Sequence, residues 1–174
     1  SFFGNIDLAM MNYNNAGPYP ACFNNLTEEE KHIEHKNNLL RNIDFLHSNL
    51  KILTPKYFLP FAGAYVLGGK NHYKNKYLGT TTWDKCIETL KNKEKTQQTK
   101  YIALREQDIF DLDTGMRNKE YIPIDENEVE NYINNVLAKI KYPYEGDSIP
   151  NIEKLTQDLL LSSSKMHERL KGIK

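Results

Sequence analysis

Residues 12–23, Asn12-Tyr13-Asn14-Asn15-Ala16-Gly17-Pro18-Tyr19-Pro20-Ala21-Cys22-Phe23, crowd amides, a phenol and a thiol into one short segment. Pro18 and Pro20 remove two backbone donors and restrict the chain on both sides of Tyr19, so the segment is stiff and cannot lie inside a sheet. A stiff loop leaving an apolar run is a usual frame for a ligand, which makes Asn12, Asn14, Asn15 and Tyr19 candidate substrate contacts. The same asparagines can equally do no more than satisfy turn backbone. Cys22 has no histidine near it in sequence, and a thiol serving as a small apolar side chain is the commoner case than a nucleophile.

A second candidate follows Gly68-Gly69, where Lys70, His72, Lys74 and Lys76 offer positive charge and free amides to a phosphate. Lys70 and His72 are the first choices there. The segment lacks the Gly-x-x-x-x-Gly-Lys-Ser/Thr pattern, and an ordinary hydrated loop is the plainer account. Glu28, His32 and His35, at i, i+4 and i+7, share a helix face and could meet a metal, or simply line a solvated first turn. Asp108, Asp111 and Asp113 alternate as cation ligands can, yet without the Gly and Glu of a calcium loop they read more simply as turn formers. Trp83, Tyr101 and Phe110 have no basic stripe beside them and read as core aromatics.

The elements that must position these groups are legible in order. Residues 6–11 form an apolar run with the pattern of a strand buried on both faces. Thr27 and Glu30 have capping-box spacing, and Leu39, Ile43, Leu46, Leu50 and Leu53 make one apolar stripe that Thr54-Pro55 terminates. Tyr57-Phe58-Leu59 is a further strand, so strand, helix and strand predict a β-α-β crossover with parallel strands. A short helix is expected from Thr82 through Trp83, Cys86, Ile87 and Leu90, dissolving in the polar residues 91–99. Residues 101–104 and 109–112 read as a hairpin. Asp125 and Glu128 predict another capping box, ahead of Val129, Ile133, Val136, Leu137 and Ile140. Pro150 suits the first turn of a last helix that turns Ile152, Leu155, Leu159, Met166 and Leu170 inward.

The 174 residues hold 23 Lys+Arg against 23 Asp+Glu, a balance that gives no overall field toward nucleic acid or an anionic membrane. No apolar run approaches the ~20 residues that span a bilayer. Cys22 and Cys86 form no Cys-x-x-Cys pair, which argues against a zinc ribbon or a stapled secreted scaffold and favours a cytoplasmic setting. The abrupt start on a strand reads as a piece of a longer protein.

Ile6-Asp7-Leu8-Ala9-Met10-Met11, then Asn14-Asn15-Ala16-Gly17-Pro18-Tyr19-Pro20-Ala21-Cys22-Phe23, then a helix opened by Thr27-Glu28-Glu29-Glu30, then Pro55-Lys56-Tyr57-Phe58-Leu59-Pro60-Phe61-Ala62-Gly63-Ala64-Tyr65 follow one another in an order and spacing. That succession resembles the CMP-N-acetylneuraminate hydroxylase family and its bacterial relatives, with a weaker likeness over residues 101–115. The resemblance implies an α/β (α+β) fold, the C-terminal half of an αββα metallo-β-lactamase-like sandwich over residues 1–115, followed by a helical C-terminal extension over 116–174. It implies an N-terminal half carrying a His-x-His-x-Asp-His metal motif, and a Rieske iron-sulfur domain upstream in full-length hydroxylases.

His32, His35, His47, His72 and His167 fall in neither pattern, so no metal or iron-sulfur centre is expected in this segment, only in a full-length protein. Where metallo-β-lactamase-fold hydrolases carry Pro-x-His-x-Gly, this chain has Pro60-Phe61-Ala62-Gly63, which favours the hydroxylase branch over binuclear zinc hydrolysis. Asp7 matches a family aspartate of structural character. The expectation is a segment not catalytic by itself, belonging to a metal-dependent enzyme that acts on a nucleotide-sugar or glycan precursor. Its partners would be a nucleotide-sugar, the missing N-terminal half or a second copy of the chain, with no nucleic acid and no membrane. The alternatives are a non-catalytic binding or oligomerisation module that pairs through an exposed sheet edge, and a metallo-hydrolase with altered ligands.

Overall fold

The computed structural model describes residues 4–93, 98–148 and 151–171. These form two compact units, Ser1–Ile140 and Lys141–Lys174. The first mixes helices with a three-stranded sheet of order β1-β2-β3, comprising β1 (Leu8–Met11), β2 (Tyr57–Pro60) and β3 (Lys100–Tyr101). Both pairings are parallel: Ala9 stands beside Phe58, and Phe58 beside Tyr101.

The predicted crossover is present. Between β1 and β2 runs α1 (Glu28–Leu53), whose first turn carries the full capping box: the Thr27 hydroxyl accepts from the Glu30 amide, and the Glu30 carboxylate accepts from the Thr27 amide at 2.7 Å. Thr54 ends the helix in the left-handed region, its N–H donating to the Leu50 carbonyl. Pro55 is buried directly after it.

Register explains the core. Ala9 and Phe58 project from one face of the sheet and meet Ile43, Leu46 and Leu50 of α1 together with Cys86 and Leu90 of α2 (Trp83–Lys93). Phe58 is fully buried on the middle strand. The opposite face is less covered. Tyr57 packs edge-on against Phe110 at 5.0 Å, but Met10 is 48 % exposed. The expectation that the first strand is buried on both faces is therefore corrected, because among the described residues α1 and α2 cover the Ala9 and Phe58 side and the strand begins at Leu8.

The expected hairpin is also corrected. Lys100 and Ile102 donate to the Lys56 and Phe58 carbonyls, so the first of its two arms joins β2 in parallel. Beyond it, the Asp108 carboxylate accepts from the Arg105 amide at 2.8 Å and Gln107 takes a positive φ, which turns the chain. Phe110 then makes only an isolated antiparallel bridge, to Arg117. Two long-range hydrogen bonds outweigh a local pairing that the alternation alone had implied.

Asp125 caps α3 (Glu126–Asn135), accepting from the amides of Asn127 and Glu128. The apolar stripe continues to Ile140, but the α-helix stops at Asn135 and a 3-10 turn, Leu137–Lys139, follows. In the second unit, Asn151 caps α4 (Ile152–Leu170), accepting from the amides of Glu153 and Lys154. Pro150 and residues 94–97, to which expectations were attached, lie outside the described residues. No helix of the described residues is long and apolar enough to cross a membrane.

Candidate functional site

Ligands of open parallel sheets collect outside the carboxyl ends of the strands. Both strand exits of this sheet are elaborate. Ala62 and Gly63, just after β2, have φ of 60° and 96°. That reversal brings Gly63 against the loop that leaves β1, so close that a Cβ on it would lie 2.4 Å from Asn12 Oδ1 and 3.1 Å from the Asn14 carbonyl oxygen. The two exits are thus packed together as one unit.

Alongside them opens a cleft of about 890 Å³. Its walls come from Tyr13 after β1, Ala64 to Val66 after β2, His35 and Leu39 of α1, His72, Tyr73, Asn75 and Lys76 of the 3-10 helix Gly69–Tyr77, and Thr80, Thr81 and Thr82. Trp83 and Lys85 of α2 and Val129 and Ile133 of α3 complete it. A smaller pocket of about 390 Å³ adjoins, sharing Tyr13 and Trp83 and adding Met10, Leu59 and Leu104. The lining combines aromatic faces, hydroxyls and amines, the mixture that holds a ring-bearing polar ligand.

The cleft holds several groups in fixed states. Burial, reinforced by Cys86 and Asp84, pushes the Tyr13 phenol up to about 12, so it remains a neutral donor. Burial depresses the His35 pKa, opposed by a hydrogen bond with the Leu78 backbone, and its Nδ1 is buried without a hydrogen-bond partner among the described residues. Trp83 Nε1 donates to the Tyr121 hydroxyl, which donates in turn to Asp84 Oδ1 at 2.8 Å, while Asp84 Oδ2 accepts from the Ile124 amide at 2.9 Å. This chain fixes the indole and ties residues 121–124 to the start of α2. Lys85 meets Glu126 at 2.5 Å, joining α2 to α3 across the rim.

The candidates named from sequence are distributed unevenly around this cleft. His72 lines it, its Nδ1 3.0 Å from the Gly69 carbonyl oxygen. Lys70, two residues earlier, is exposed. Asn14 is buried and works as a backbone surrogate: its Nδ2 donates to the Thr81 carbonyl and its Oδ1 accepts from the Thr81 amide, both at 2.8 Å. It therefore sets the cleft wall from behind. Asn12 Oδ1 accepts from the Asn14 amide and Asn15 Oδ1 from the Gly17 amide, each shaping a turn. The Tyr19 hydroxyl donates to Glu34 Oε2 at 2.9 Å, fastening the loop to α1.

The sequence alone does not point to Thr80, Thr81 or Tyr73, and it marks Val129 and Ile133 only as an apolar helix face. The run Gly79-Thr80-Thr81-Thr82 was the available signal, three hydroxyls after a glycine that lies against Asn38, where a Cβ would come within 2.9 Å of the Asn38 Cβ.

Among the described residues, no three His, Cys, Asp or Glu side chains converge to hold a metal ion. His32 stacks edge-on against Tyr77 at 4.8 Å, and His35 faces the cleft. Asp108 pairs with Lys119 at 2.9 Å, and Asp111 Oδ1 accepts from the Asp113 and Thr114 amides, so these aspartates shape turns.

The cysteines differ sharply. Burial pushes the Cys86 thiol up to about 12, whereas Cys22 is exposed. At pH 8 an aromatic disulfide reagent should therefore titrate one thiol rapidly in the folded chain and a second only after denaturation. Rapid modification of both in the folded state would contradict the buried placement of Cys86.

The class that these features define is a small parallel sheet, covered by helices on one face, with a ring-sized polar and aromatic cleft at the strand exits. No protein-family model, no curated protein and no solved structure matches the chain.

Proposed function

We propose that this chain forms the substrate-holding wall of a metallo-β-lactamase-like enzyme of the CMP-N-acetylneuraminate hydroxylase type, and that a nucleotide-sugar or related glycan precursor occupies the cleft at its strand exits. The single observation that carries the reading is the position and lining of that cleft. Its volume of about 890 Å³ suits a ligand of nucleotide-sugar size. Trp83 and Tyr73 offer flat faces to a base or sugar ring. Lys76, with Lys70 near it on the same 3-10 helix, offers charge to phosphate, His72 stands beside Lys76 in the wall, and the threonine hydroxyls suit sugar oxygens. Asn12, Asn14, Asn15 and Tyr19 act in this reading by holding the loop that shapes the wall. Catalytic groups come from elsewhere in the full enzyme, in the N-terminal half of the sandwich.

Calorimetric titration with a CMP-linked sugar tests this directly. Saturable binding is expected, weakened about tenfold by Lys76→Ala through loss of one charge-assisted contact. Absence of heat with CMP-sugars, CMP and free sugar phosphates alike, in a folded chain, would remove the reading.

A second reading, a binding or assembly module, draws on the sheet edge. β1 has one neighbour among the described strands and carries the exposed Met10. Such an edge can accept another strand. Light scattering that finds dimers lost on Met10→Lys would favour it.

A further inference from the structure

The second unit carries an apolar seam that its own residues leave bare. Ile152, Leu155, Leu159 and Met166 of α4 recur at spacings that keep them on one side of the helix, with Ser162 between Leu159 and Met166 and Leu170 at the end. All are exposed, Ile152 at 76 % and Met166 at 63 %, which corrects the expectation that this stripe turns inward. A seam at this three-and-four spacing is the pairing surface of a two-helix coiled coil.

Charge decides the orientation. Asp158 and Lys165 lie one heptad apart, each immediately before a seam residue, Leu159 and Met166, on the same flank. In an antiparallel pair, Leu155 faces Met166 and Leu159 faces Ser162, where the small side chain admits close approach. That register sets Asp158 of each helix beside Lys165 of the other, and the two-fold axis makes the contact twice. An in-register parallel pair instead places Asp158 beside Ser163 and Lys165 beside Leu170, with no charge pair. The helix also carries Glu153 near its start and Arg169 near its end, the polarity that an antiparallel neighbour matches.

We infer that α4 is a self-association element, which joins two copies of this chain through an antiparallel α4–α4 pair with reciprocal Asp158–Lys165 contacts. The element is under three heptads long, so the dimer dissociates on dilution through the micromolar range.

Sedimentation of the full chain across that range, with two charge reversals, tests the proposal. Wild type should shift from monomer to dimer. Asp158→Lys and Lys165→Asp each place like charges opposite one another twice, and each should weaken self-association about tenfold. Mixed in equal amounts, the two variants should recover a one-to-one dimer, because each supplies the charge that the other lacks. A wild-type chain that stays monomeric at several hundred micromolar, about the upper end of this range, would overturn the proposal by showing that α4 has no second copy to meet. A dimer unaffected by both reversals, or two variants that fail to rescue each other, would overturn it as well by placing the contact elsewhere or in another orientation.

Discussion

Phe58→Ala should cost the first unit about 4 kcal/mol, read as a fall of roughly 2 M in the urea midpoint. The reasons converge on one side chain. Phe58 is fully buried on the middle strand, flanked by Ala9 and Tyr101 in register, and its ring meets Tyr101 edge-on at 5.8 Å. It is the point where β1, β2, α1 and α2 share one core. Truncation leaves a cavity that strands held by parallel pairing cannot close. Met10→Ala on the neighbouring strand is the control: its side chain is 48 % exposed, and its loss should cost less than about 1 kcal/mol. Comparable midpoints for the two variants would mean that the sheet face covered by α1 and α2 is not the core.

Asn14→Ala should cost about 3 kcal/mol and weaken ligand binding in the cleft. Asn14 is 4 % exposed, and its amide takes both backbone groups of Thr81. Removing it leaves the half-buried N–H and carbonyl of Thr81 unpaired, each worth about 1–3 kcal/mol. Asn14→Asp keeps the acceptor but turns the donor into an oxygen facing the Thr81 carbonyl, so it should fare no better. The two measurements together separate roles. Lower affinity with unchanged urea stability would make Asn14 a direct ligand contact, whereas loss of both marks it as the brace of the Thr80 to Thr82 wall.

The elements that local chemistry dictates were legible in the sequence. The Thr27 and Glu30 box, the stripe through Ile43, Leu46 and Leu50, the stop at Thr54 and the parallel crossover all depend on neighbours within a few residues or on helix period. The hairpin expectation failed because the pairing of residues 100–101 is settled by Lys56 and Phe58, some 44 positions away, and because Asp108 builds a turn whose cause is one side-chain oxygen. The cleft was half legible. The sequence shows that a strand exit positions the loop after β1, and asparagine's tendency to satisfy turns accounts for Asn12 and Asn15 there. What no local pattern carries is the pairing of Asn14 with Thr81, or the arrival of α3 residues Val129 and Ile133 at the same opening as His35 of α1. Those juxtapositions exist only once the chain has closed on itself.

Trp83 is the sole tryptophan of the chain and stands in the cleft wall, so its fluorescence reports on the site without a label. The most direct measurement is a fluorescence titration of the intact chain with a CMP-linked sugar. Occupation of the cleft predicts a saturable change in Trp83 emission that Lys76→Ala shifts to higher ligand concentration and that unlinked sugar does not reproduce. An emission spectrum unchanged up to millimolar ligand, about the weakest affinity worth calling a site, in a chain whose urea transition shows it folded, would contradict the assignment of this cleft to a nucleotide-sugar.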